Sequence, residues 1–108
     1  MPIQPGEFWV AEIPFTSGGR SKQRPVLVLW LDGQDAVVAA VTSAAPRSAT
    51  DVPLTDWKAA GLRVPSTVRL SRLDCLEQTL LLFKLGTISG ADSQQVKAIR
   101  AARIRPGF

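Results

Sequence analysis

Arg20, Lys22 and Arg24 put three cations within five residues, between Gly18-Gly19 and Pro25. The glycines let the backbone swing, so a loop of this kind can wrap its charges around a polyanion. It runs into the apolar stretch Val26-Leu27-Val28-Leu29. Pro25, with no N–H and a fixed φ, suits the first residue of that strand. A mobile cationic loop anchored on a rigid strand is a device for holding phosphates. Conventional acid–base chemistry, in contrast, lacks its usual residues. The chain has no histidine and a single cysteine, Cys75. That removes the usual general base, the commonest metal ligand, any Ser-His or Cys-His nucleophile pair and any internal disulfide. Cys75, without a histidine partner, reads as inert.

The overall charge points the same way. The net charge is +4, the pI is about 10.0, and nine of the thirteen cations are arginine. Arginine's planar fork suits phosphate better than lysine's point charge. An anionic partner is therefore favoured, nucleic acid first. With 45% hydrophobic residues in 108, the chain can build a real core and reads as one domain, residues 1–108. The N-terminal Met1-Pro2-Ile3-Gln4-Pro5 lacks the charged start and apolar centre of a signal peptide. No run approaches the ~18 apolar residues of a membrane span. A cytoplasmic protein without membrane attachment is the expectation.

The elements that must position the basic segment follow from hydrophobic period. Glu7 to Ile13 reads as a strand with Phe8 and Val10 on one face and Trp9, Ala11 and Ile13 on the other. Both faces are apolar, as in a small closed sheet. Pro14 to Gln23 reads as the loop, Val26 to Leu31 as a buried strand, Asp32-Gly33 as a tight turn and Ala36 to Val41 as the returning strand. Thr42 to Ala49 is a small polar loop. Asp51 to Leu54 reads as a short strand. Thr55 can cap one helical turn over Asp56 to Ala60, stopped by Gly61. Thr67 to Leu70 and Leu80 to Ile88 read as further strands. Ser89-Gly90-Ala91-Asp92 has capping-box spacing with Asp in place of Glu, and starts a helix that runs to about Arg103. The fold class is mainly β: a small barrel of curled antiparallel sheet with a C-terminal α-helix packed on it.

In this order, Gly6-Glu7-Phe8-Trp9-Val10, Arg24-Pro25-Val26-Leu27-Val28, Ala39-Ala40-Val41-Thr42-Ser43, Val68-Arg69-Leu70 and Lys84-Leu85-Gly86-Thr87-Ile88-Ser89 resemble the MazF/PemK family of type II toxins from bacterial toxin–antitoxin operons. The matches span nearly the whole chain. The resemblance implies an SH3-like barrel acting as a homodimer. It implies a metal-independent, sequence-specific endoribonuclease that cleaves single-stranded RNA, needs no cofactor, and is blocked by a cognate antitoxin. Arg24 matches the family's arginine at the scissile phosphate, where a guanidinium would stabilise charge that builds when a 2′-OH attacks phosphorus. Thr42 matches a threonine whose hydroxyl or N–H would bind a non-bridging oxygen, with Ser43 assisting. Arg69 resembles an arginine some relatives use in catalysis. Two residues on, many relatives carry an acidic residue, where this chain has Ser71, with Asp74 three residues further. Arg20, Lys22, Ser43 and Ser71 are the candidate RNA-binding residues.

Each of these residues also has a plainer reading. Arg24 could cap a strand, Thr42-Ser43 could simply start a turn, Arg69 could be a packed strand residue, and Arg20 and Lys22 a solvated loop. Trp9 and Trp57 read as core, and Trp30 ends an apolar strand at a surface. Arg100, Arg103 and Arg105 read as a solvated helix face that complements the helix dipole. Arginine is not a base at any working pH, so the expected mechanism is positioning and electrostatic stabilisation with water or hydroxide taking the proton. Two alternatives share the fold: a non-enzymatic toxin that binds a protein, as the CcdB gyrase poisons do, and a weakened relative that only binds RNA or an antitoxin.

Overall fold

The computed structural model describes residues 2–14 and 21–108. β1 (Glu7–Pro14) alternates as the sequence period requires, with Phe8 in one apolar core and Trp9 and Ala11 in another. β2 (Ser21–Asp32) returns beside it and turns into β3 (Asp35–Thr42) through Gly33-Gln34. Gly33 has φ 61° and no non-glycine residue described has positive φ, the pattern of a two-residue type II′ hairpin. β4 (Asp51–Pro53), β5 (Thr67–Glu77), a 3₁₀ turn at Gln78–Leu80, β6 (Leu81–Thr87) and the helix α1 (Gly90–Arg103) complete the chain. The strands form one antiparallel sheet in the order β4-β5-β3-β2-β1-β6.

The sheet buries both faces. One core gathers Phe8, Leu27, Ala39, Val41, Val68 and Leu70 against Leu54, Leu62 and Val96 of α1. The other gathers Trp9, Ala11, Val26, Val28, Val38, Leu76 and Leu81. Burying two faces of one sheet requires it to curl, and the ladders show where. Ala39 pairs with Leu73 but Ala40 pairs with Arg69, so β5 bulges between them. Among the described residues the end strands β4 and β6 are not hydrogen-bonded to each other. The gap is spanned by backbone contact. A Cβ on Gly61 would collide with the Leu85 carbonyl, and one on Gly86 with the Ala60 carbonyl. Gly61 also has φ 89°, which L-residues avoid. Two glycines back to back thus replace strand pairing at the seam of the expected barrel.

Four local expectations change. Pro25 does not start β2, which begins at Ser21 because β1 continues to Pro14 and pairs with it. Pairing of β2 with β3 starts only at Val26, so Pro25 lies where one side of β2 is an edge, as proline requires. Thr42, a loop residue by composition and the end of the third strand by resemblance, ends β3 opposite Thr67, as the resemblance implies. β5 extends to Glu77, well beyond the expected Leu70. At the turn over Asp56 to Ala60, closed by an Ala60 N–H bond to the Asp56 carbonyl, the cap is Asp92 rather than Thr55.

Asp92 is 2% exposed. Its own N–H donates to the Ser89 hydroxyl at 3.2 Å, as an N-cap should. Its carboxylate does not reach back to Ser89 but accepts from the N–H groups of Thr55 and Asp56, at 3.0 and 2.8 Å. One side chain therefore ties α1 to the segment that leaves β4. No helix described is long and apolar enough to cross a membrane.

Candidate functional site

Past Val26↔Ala40 the sheet forks. β2 stays with β1, pairing Arg24 with Ala11, while β3 stays with β5, pairing Thr42 with Thr67. Continuing the β2–β3 register by two residues sets Arg24 opposite Thr42, across a ladder that has opened. A groove of about 500 Å³ occupies the fork, and Arg24, Thr42 and Ser43 all line it. Its far wall is the segment between β4 and β5, which brings Arg63, Val64 and Ser66. Phe83 of β6 lines it as well.

The polar groups face the groove with donors to spare. Arg24 and Arg63 are exposed, and no carboxylate pairs with either among the described residues. Thr42 Oγ1 accepts from the Ala44 N–H at 3.1 Å. The turn reading of Thr42 is therefore real, and it leaves the hydroxyl proton to donate. Ser66 Oγ donates to the Val64 carbonyl at 2.8 Å, which fixes the bend of the wall. No carboxylate lines the groove among the described residues, and no group of three or more His, Cys, Asp or Glu is gathered for a metal ion. The arrangement can bind and polarise an anion; it offers no side chain as a base.

The other candidates lie elsewhere. Arg69 does not line the groove: its Nε faces Asp51 Oδ1 at 3.6 Å, an ion pair longer than a hydrogen bond, while Asp51 Oδ2 accepts from the Arg47 N–H. Ser71 is exposed on the β5 bulge, and Asp74 pairs in register with Val38; neither lines the groove. Lys22 is exposed on β2, two residues from Arg24 and so on the same face, outside the groove lining. Arg20 lies outside the described residues. Trp9 is buried and Trp57 packs against the first core, while Trp30 is 40% exposed with the Arg100 guanidinium 5.8 Å from its ring centre. Cys75 is exposed, and its thiol pKa is raised above 9.0 by local desolvation and by Asp35 and Asp32, which keeps it protonated.

Beside the groove, sharing only Phe83 with it, lies a second concavity of about 710 Å³ lined by Ile3, Glu7, Trp9, Leu82 and Lys84 among others. Glu7 is buried there. Desolvation pushes its pKa up, but hydrogen bonds from Lys84 at 2.8 Å, the Gln4 N–H and the Trp9 Nε1–H, with the Lys84 charge, outweigh that and hold it below 4.5.

Arg63, Val64, Ser66 and Phe83 escaped the sequence reading. Gly61 was legible as a stop signal, but nothing local shows that it meets Gly86 and so delivers the residues after it to the groove.

The sequence matches the family model of the PemK-like, MazF-like toxin of type II toxin-antitoxin system over residues 4–102. Among solved structures, an endoribonuclease from Mycobacterial species superposes with a TM-score of 0.75 at 14% identity, covering 98% of this chain and 94% of that one. Mycobacterium tuberculosis toxin MazF-mt6 gives 0.70 at 23% identity, covering 93% and 98%. An endoribonuclease in complex with its cognate antitoxin, also from Mycobacterial species, gives 0.70 at 17% identity, covering 99% and 100%. A search of the curated proteins finds no match.

Proposed function

Because the chain belongs to the PemK-like, MazF-like toxins of type II toxin–antitoxin systems, we propose that it is an endoribonuclease that cuts single-stranded RNA at the forked groove. The observation that carries this reading is that Arg24 and Thr42 line one groove where the β2–β3 ladder has opened, with the Arg24 guanidinium unpaired among the described residues. Solved proteins of the same fold are named endoribonucleases, one of them bound to its antitoxin.

The chemistry follows from the groove's donors. A ribose 2′-oxygen attacks the adjacent phosphorus, an O–P bond forms, and the bond to the 5′-oxygen breaks. The products are a 2′,3′-cyclic phosphate and a 5′-hydroxyl. Negative charge builds on the non-bridging oxygens, where Arg24 stabilises it and the Thr42 hydroxyl, with Ser43, donates. Arg63 on the opposite wall holds a flanking phosphate, and Lys22 extends the cationic track along β2. The 2′-OH proton passes to water or hydroxide, and water protonates the leaving oxygen. In this reading the cleavage is metal-independent, with the groove's own donors supplying the positive charge. Arg69 acts through Asp51, holding the loop that follows Ser43. A homodimer and a cognate antitoxin that covers the groove complete the reading.

The test is cleavage of a long single-stranded RNA in excess EDTA, with both new ends mapped. Recurrent cuts carrying a cyclic phosphate and a 5′-hydroxyl support the reading. Intact RNA with folded protein would overturn it and favour a toxin that binds a protein.

A further inference from the structure

Phe83 is 51% exposed, on the edge strand β6, and belongs to neither core. It is the one lining residue shared by the Arg24 groove and the concavity beneath Trp9 and Lys84. A strand of RNA occupying both would have this ring at their common border. Val64, 49% exposed, stands on the same groove. Resting on the reading of the groove as an RNA site, we propose that Phe83 is a base platform: one unstacked base of the bound strand lies on its ring while the phosphates beside it lie on Arg24 and Arg63.

The chemistry favours a nucleic acid over a second apolar surface. A wet aromatic ring at a sheet edge is a liability unless something covers it. Arg24 and Arg63 line the same groove, and the chain carries +4 overall. A second copy set face to face here would oppose cation to cation, whereas a single strand brings anions to the arginines and a π-face to the ring. Every base has such a face, so the platform adds affinity and holds the strand in register; it does not by itself read sequence.

The experiment uses short 2′-O-methyl RNAs spanning a mapped cut, which lack the attacking hydroxyl, with an abasic nucleotide moved through each position. Binding is measured for wild type, Phe83→Ala, Phe83→Leu and Phe83→Trp. The expected result is a loss of about tenfold to a hundredfold in Phe83→Ala, a similar loss in Phe83→Leu, and retention in Phe83→Trp. One abasic position alone should weaken wild type and erase its advantage over Phe83→Ala. Equal binding by wild type and Phe83→Ala overturns the platform and leaves the RNA reading standing. So does a Phe83→Ala defect that every abasic position leaves unchanged, or one that tracks loss of self-association in sedimentation. Wild type that binds none of the RNAs overturns the RNA reading and the platform with it.

Discussion

The carboxylates and the arginines of this molecule are used differently. Three buried carboxylates are engaged within the fold: Glu7 by Lys84, Gln4 and Trp9, Asp92 by the N–H groups of Thr55 and Asp56, and Asp51 by the Arg47 N–H, with the Arg69 guanidinium 3.6 Å from its other oxygen. The two groove arginines are exposed and find no acid among the described residues. The acids hold the scaffold and the groove's cations stay available for an outside anion. On the proposed reading, that division lets a chain without histidine act on RNA, because preorganised positive charge stabilises a transition state without a titrating group.

The contrast can be broken from either side. Arg24→Ala should have the largest effect, lowering the cleavage rate at least about 10²–10³-fold, the usual cost of removing one transition-state donor, while leaving the melting temperature close to wild type. Asp92→Asn should do the reverse. An amide offers one acceptor oxygen where two N–H groups need partners, and a buried orphan donor costs about 1–3 kcal/mol. Thermal melting checks this; an unchanged transition would mean that the α1 tie carries no stability.

These two predictions also separate what was legible in the sequence from what was not. Strand alternation at Phe8, Trp9 and Ala11, the Gly33 turn and the Ser89 cap rest on local rules, so they could be read directly. Arg24 and Thr42 could be chosen by resemblance, and the β2–β3 register then explains why both line one groove. Asp92 was legible as a helix start, but its carboxylate acts on backbone 36 and 37 residues away. Arg63 follows the Gly61–Gly86 contact into the groove, and Phe83 is set there by the β1–β6 register that pairs it with Val10. Arg69 was chosen as a catalytic residue by resemblance, and nothing near it in the chain shows that the β4–β5 register sets it opposite Asp51. Long-range contacts of this kind leave no periodic trace.

Smaller effects sharpen the comparison. Arg63→Ala should reduce the salt slope of RNA binding by about 0.7; an unchanged slope would remove Arg63 from the phosphate track. The pH dependences should differ between the two sets of charges. Cleavage should rise steadily with pH, because no histidine, cysteine or carboxylate lines the groove among the described residues, and a bell centred near neutral pH would contradict that. Glu7, with its folded pKa depressed, contributes stability that is present above its ordinary 4.5 and lost as pH falls through the lower folded value. Glu7→Gln should therefore flatten the acid side of the stability curve, read from melting at a series of pH values.

The central claim is that an unpaired guanidinium on a forked sheet performs the cleavage. Single-turnover cleavage of one RNA by wild type and Arg24→Ala, with melting of both proteins in the same buffer, tests it most directly. The account predicts that cleavage is lost while the melting temperature holds. Cleavage retained in Arg24→Ala, or lost only in step with unfolding, would contradict it.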